Sequence, residues 1–143
     1  MEHNDLTIAR EHLVAGDFTC VIRKGDLEYT TRERGVKPLV RWLTEGTDLR
    51  SFSAADKVVG KATAYLYCLL GVKEVYAHVM SESAARVLGE NGIAASQGKL
   101  VENIINRQGN GICPFEAAVR EIHDPDSALT AIRKKMVQMN ISL

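Results

Sequence analysis

The feature that most constrains this chain is the run Phe52-Ser-Ala-Ala-Asp-Lys-Val-Val-Gly-Lys-Ala-Thr-Ala-Tyr-Leu-Tyr-Cys-Leu-Leu70, its most apolar segment and the longest without a strong breaker. Beyond Lys61 almost every position is apolar or aromatic, so a helix built here offers no polar face and has to lie between other elements. We therefore expect one central helix from Phe52 to Leu70, stopped by Gly71. Its charges gather at one end, at Asp56, Lys57 and Lys61. The spacing Ser53-x-x-Asp56 suits a capping box, in which each side chain satisfies the other residue's backbone N–H. Lys57 and Lys61 fall near a helix start, where the dipole opposes cations, so an anionic ligand or a carboxylate partner is expected beside them. The competing reading lays their stems along apolar surface with the ammonium groups in water.

On either side of this run the sequence punctuates itself clearly. Asp5 to Ala15 carries an apolar stripe with Asp5 as N-cap and Gly16 as stop, an amphipathic first helix. Phe18 to Arg23 and Asp26 to Thr31 read as a hairpin across Lys24-Gly25-Asp26, and Val36 to Glu45 as a helix with Pro38 in its first turn. After the central run, Lys73 to Met80 reads as a strand and Ser81 or Glu82 to Leu88 as a helix. Ile93 to Ser96 reads as a short strand, and Leu100 to Asn106 as irregular to strand. The Gly-rich loop Gln108 to Pro114 leads into a helix from Phe115 to Ile122, and a last helix runs from Asp126 or Ser127 to about Gln138. This order predicts a single α/β domain over residues 1–143, a three-layer α/β/α sandwich with a mixed sheet.

Bulk composition removes several functions. Lys plus Arg and Asp plus Glu both number 18, so there is no overall field to gather nucleic acid, and aromatic residues at 6% leave little for base stacking. No stretch approaches eighteen consecutive apolar residues and no basic, then apolar, leader opens the chain, so we expect a cytoplasmic protein without a membrane partner. Three scattered cysteines and four scattered histidines form no CxxC, HxE or HExxH pair, so neither a metal nor another cofactor is expected. The many apolar helix faces in a chain this short lead us to expect a homodimer.

The residues Ser53-Ala-Ala-Asp-Lys-Val-Val-Gly-Lys-Ala62 and Gly109-Asn-Gly-Ile-Cys-Pro-Phe-Glu116 are similar to those of a small prokaryotic family of unknown function assigned to the cytidine deaminase-like superfamily. The resemblance runs across nearly the full length and implies a cytidine deaminase-like fold. In that superfamily the zinc site comes from HxE at the start of the first core helix and PCxxC at the start of the second. By element, Ala54-Ala55-Asp56 falls at the first and Ser81 to Leu88 at the second, so the ligands are replaced by Ala54, Glu82 and Ala85, and Asp56 stands for the catalytic glutamate. Alanine cannot ligate a cation, so the resemblance implies a pocket without the hydrolytic deamination chemistry.

Cys113 is the other candidate. It precedes Pro114, the first residue of a helix, where unpaired N–H groups and the dipole favour a thiolate. Gly109 and Gly111 let the backbone before it approach a ligand, and Glu116 completes a cap or serves as the thiol's acid/base partner. A buried, inert cysteine is the alternative. The expected function is accordingly binding of a small anionic or nucleotide-like molecule at the entrance of the central helix. Cys113, Asp56 and Lys57 are its chemical groups, and Ser53, Lys61, Gly109, Gly111 and Glu116 are its binding groups. The alternative is a non-enzymatic binding or assembly module whose pocket has become structural.

Overall fold

The computed structural model describes residues 4–106 and 108–143. Helix α1 (Asp5–Ala15) follows the apolar stripe, but its cap is Asn4, whose Oδ1 accepts the Thr7 N–H at 2.7 Å. Asp5 is the first helical residue, where its charge suits the dipole. Strands β1 (Cys20–Lys24) and β2 (Leu27–Thr31) form the expected antiparallel hairpin. Helix α2 (Lys37–Glu45) has Pro38 in its first turn and ends at Gly46.

The central run does not form one helix. Residues Ser53–Val59 are strand β3, Gly60 is extended, and only Lys61–Leu70 are helical, as α3. The reason is position in the sheet. Strand β3 lies between β1, antiparallel to it, and β4 (Glu74–Ser81), parallel to it. A strand covered on both faces shows no alternation of apolar and polar residues, so its pattern merges into that of the buried helix it feeds. Ser53, Ala54, Ala55 and Asp56 are all buried. The Ser53–Asp56 capping box is therefore absent: the Ser53 hydroxyl donates to Glu74 Oε2 at 2.6 Å, and Asp56 is a mid-strand residue.

Helix α4 (Glu82–Glu90) is capped by Ser81, whose Oγ accepts the Ala84 N–H. Strand β5 (Ala94–Val101) is one strand where two fragments were expected, because pairing with β4 carries the backbone through Gln97, Gly98 and Lys99. Helix α5 (Pro114–Ala118) is a short piece that ends four residues before Ile122, and α6 (Pro125–Gln138) is capped by Asp124.

The sheet order is β2-β1-β3-β4-β5, antiparallel among the first three strands and parallel among the last three. Alternate residues of β1 and β3 separate two cores. Cys20, Ile22 and Ala54 join the large core with residues of α2, α3, α4, α5 and α6. Val21, Ala55 and Tyr76 meet Ala9 and Leu13 of α1 in a small core on the opposite face. The result is a three-layer α/β arrangement with its helices unequally divided, and among the described residues no helix is long and apolar enough to cross a membrane.

Candidate functional site

Asp56 organises the site. Its register places it beside Cys20 of β1, facing the side of the sheet that α3 covers, and there the Tyr67 hydroxyl donates to Asp56 Oδ2 at 2.6 Å. The same hydroxyl lies 3.2 Å from Cys20 Sγ. The Val58 N–H reaches Asp56 Oδ1 at 3.3 Å. All the hydrogen-bond partners of this carboxylate are neutral, and no cationic side chain forms an ion pair with it among the described residues. Burial raises its pKa to about 6, against the Tyr67 and backbone hydrogen bonds, which lower it. Burial, reinforced by the Asp56 charge, pushes the Cys20 thiol and the Tyr67 phenol well above their ordinary values, so both stay neutral beside it.

Asp56 and Cys20 open into a cleft of about 480 Å³ between the β1/β3 strands and the start of α2. Thr19, Lys57 and Val58 continue its wall, Gly35, Pro38 and Leu39 supply the α2 side, and Asp17, Arg32, Glu33 and Arg34 ring the mouth. Several of these charges are already engaged. Lys57 Nζ donates to Asp17 at 3.1 Å. Arg41 holds both Glu33 oxygens, with Lys37 beside them, and these contacts lower the Glu33 pKa.

The structure divides the residues expected to converge at one helix start into separate groups. Asp56 and Lys57 share the cleft, but adjacent positions on a strand point to opposite sides, the carboxylate inward and the ammonium toward the rim. Lys61 and Glu116 form a second group at the start of α3. Glu116 Oε1 accepts the Lys61 N–H at 2.7 Å and Oε2 accepts the Ala62 N–H at 2.9 Å, while Lys61 Nζ donates to the Arg120 carbonyl. The carboxylate or anion expected for the Lys61 ammonium is not what forms here: Nζ goes to a backbone carbonyl, while Glu116 serves the backbone N–H groups of α3 rather than Cys113. Burial raises its pKa against these two hydrogen bonds. It also accounts for Gly60, because a Cβ there would lie 2.5 Å from the Glu116 carboxyl carbon.

Cys113 is the N-cap residue of α5 as expected, but it is partly buried against the large core and does not line the cleft. Gly109, with positive φ, and Gly111 shape the turn before it. Ser53 is committed to Glu74. Sequence reasoning missed Cys20, Tyr67, Thr19, Arg32 and Arg34, which enter the site only once β1 is paired with β3.

Of the two segments compared with the deaminase metal motifs, Ser81 to Leu88 opens a helix as expected, and Ala54 to Asp56 lie in mid-strand, not at a helix start. After the hairpin, the first two helices are α2 and α3, which begin Lys37-Pro38-Leu39 and Lys61-Ala62-Thr63 with no metal-ligating side chain among them. Among the described residues no three His, Cys, Asp or Glu side chains are grouped to hold a metal ion.

Residues 8–136 match a family model described as a domain of unknown function, DUF1893. The crystal structure of a DUF1893 family protein from Thermotoga maritima is similar with a TM-score of 0.86 at 26% identity, over 94% of this chain and 92% of that one. Comparison with curated proteins yields no match. The chain belongs to the DUF1893 family.

Proposed function

We propose that this member of the DUF1893 family binds a small anionic or nucleotide-like molecule in the cleft floored by Asp56, on a cytidine deaminase-like scaffold that has dispensed with zinc. The sheet order with its antiparallel hairpin edge supports that scaffold. One observation carries the ligand reading: a buried carboxylate with only neutral partners stands at the bottom of an open, charge-lined cleft. Such a group costs folding free energy, and perturbed buried acids cluster at functional sites, which supports a ligand role here. Asp56 is also the cleft group that exchanges a proton near neutrality, since Cys20 and Tyr67 are held neutral. It is therefore the acid/base of the site, with Lys57, Arg32 and Arg34 as its cationic rim. Thiol chemistry at Cys113 is separate from this cleft.

A second reading, an assembly module that forms a homodimer, is favoured by β5, whose residues Ala94 to Leu100 are all exposed at the sheet edge. On that reading the cleft is a remnant and answers no ligand. The discriminating experiment is an NMR titration with adenosine and cytidine 5′-monophosphates. Binding in the cleft shifts the amides of Thr19, Gly35 and Lys57 and moves the Asp56 carboxyl resonance, and Cys113→Ser leaves these shifts intact. An absence of shifts at millimolar nucleotide, or shifts confined to the Cys113 loop, overturns the proposal.

A further inference from the structure

We propose that the ligand of this cleft is two-ended: an oxyanion held at the mouth by Arg34 and the start of α2, and a nitrogen carrying N–H held at the floor by Asp56. The inference rests on the ligand-site reading above and adds which chemistry the site selects.

At the mouth one cation, Arg34, has no ion-pair partner among the described residues. Glu33 is neutralised by Arg41 and Lys37, and Lys57 is occupied by Asp17. Arg32 donates to the Gly16 carbonyl and stacks over the Phe18 ring. Arg34 is exposed at the mouth and forms no hydrogen bond or ion pair among the described residues. Beside it, Gly35, Pro38 and Leu39 bring the first turn of α2 to the cleft. That turn has neither a side-chain cap nor an acidic residue, and although Pro38 contributes no N–H, the positive end of the helix and Arg34 border the same cleft. An arginine fork is also the side chain best matched to a phosphate or carboxylate.

At the floor the sign reverses. Asp56 is paired with the Tyr67 hydroxyl and with backbone amides, and the other titratable groups facing it, Cys20 from β1 and Tyr67 from α3, are neutral. A ligand acceptor placed there meets a carboxylate head-on, whereas an ammonium, amidine or amino N–H forms the charge-assisted bond the site lacks. Between the two ends the walls include Pro38, Leu39 and Val58, and among the described residues no aromatic ring lines the cleft. Ring stacking thus contributes little, and the two polar ends carry recognition.

The test uses matched probes that differ at one end: inorganic phosphate, glucose 6-phosphate and glucosamine 6-phosphate, titrated calorimetrically into the wild-type chain, Asp56→Asn and Arg34→Ala. The wild type is expected to bind the amino sugar phosphate roughly tenfold tighter than the sugar phosphate, the factor of one charge-assisted hydrogen bond. Asp56→Asn removes that preference while both esters still bind. Arg34→Ala weakens both esters by about the same factor, on the order of tenfold, and preserves their ratio. In the wild type the ratio falls toward one as pH drops below about 6, where Asp56 is protonated. The phosphate ionisation is common to both probes and cancels in the ratio. Equal affinities in the wild type, a preference that survives Asp56→Asn, or an Arg34→Ala variant that binds normally each overturn the two-ended assignment. If no ester binds the wild type at all, it is the ligand-site reading that fails.

Discussion

The tie between Glu116 and α3 makes a quantitative prediction that a double-mutant cycle can check. Glu116→Ala removes the acceptor of two backbone N–H groups, those of Lys61 and the fully buried Ala62. A buried donor without a partner costs about 1–3 kcal/mol, and the Lys61 N–H is near enough to solvent to recover part of its share. The expected destabilisation is about 2–4 kcal/mol. Gly60→Ala should cost nearly as much by a different route. Its new Cβ lies 2.5 to 2.6 Å from the carboxylate atoms, so the carboxylate has to leave and the same two hydrogen bonds are lost. The Gly60 backbone is extended with negative φ, which alanine adopts without strain, so the clash is the dominant penalty. In the Glu116→Ala background there is nothing left to displace, and Gly60→Ala should then cost about 0.5 kcal/mol or less. The coupling energy is therefore about 2 kcal/mol, which for an m-value of about 2 kcal/mol/M shifts the urea midpoint by about 1 M relative to additivity. Urea denaturation of the wild type, both single variants and the double variant measures it. Additive single effects, within about 0.5 kcal/mol, refute the claim that Gly60 is glycine in order to admit the Glu116 carboxylate.

Asp56→Asn should make the protein more stable at neutral pH. A carboxylate raised from an ordinary value of 3.8 to about 6 contributes stability in its neutral form that is fully present below pH 3.8 and lost as pH rises through about 6. The full difference is about 3 kcal/mol, so the variant gains about 1–3 kcal/mol at pH 7.5 and has a flatter stability profile between pH 4 and 6, and parallel pH profiles refute the assignment. Iodoacetamide at pH 8 should leave Cys20 unmodified until the chain unfolds and label Cys68, pushed up to about 11, only slowly. Native-state mass spectrometry reads the order of labelling, and a Cys20 that reacts as fast as an exposed thiol refutes the buried, neutral thiol described beside Asp56.

How much of this was legible in the sequence depended on whether a residue's partners were local. Helices α1, α2 and α6 and the β1/β2 hairpin announce themselves, because caps, glycine stops and amphipathic spacing act within a few residues. The helix α3 itself was legible from Lys61 to Leu70. What precedes it was not, since Ser53 to Val59 is extended only because β1 and β4 lie on either side of it, and small apolar residues suit a covered strand as well as a helix. That one error moved Asp56 from a helix entrance to mid-strand and hid its partners. The sequence marks Asp56 through its charge cluster with Lys57 and Lys61, and the residue lines a cleft, but in mid-strand. Cys20 and Tyr67 are separated by 47 positions in sequence, and no spacing rule connects them. At Lys61 the sequence points to a partner for the ammonium, whereas the carboxylate that arrives, from 55 residues downstream, binds the backbone N–H, a contact no local spacing signals.

The starts of α2 and α3 use their N-termini in different ways. Both helices follow sheet strands on the same side of the sheet, and both present N–H groups that want an anion. At α3 the chain supplies that anion itself, through Glu116, and makes room for it with Gly60. This closes the terminus and, with the Lys61 and Tyr65 hydrogen bonds to the carbonyls of Arg120 and Ile122, straps α5 and the segment after it to the core. At α2 no side chain among the described residues does the same, and the terminus faces the cleft beside Arg34. A buried acid with neutral partners then lies across the cleft from an uncapped helix start with a free guanidinium. Each arrangement alone lowers stability relative to a filled alternative. Occurring together around one cavity, they complement a single molecule that carries both signs.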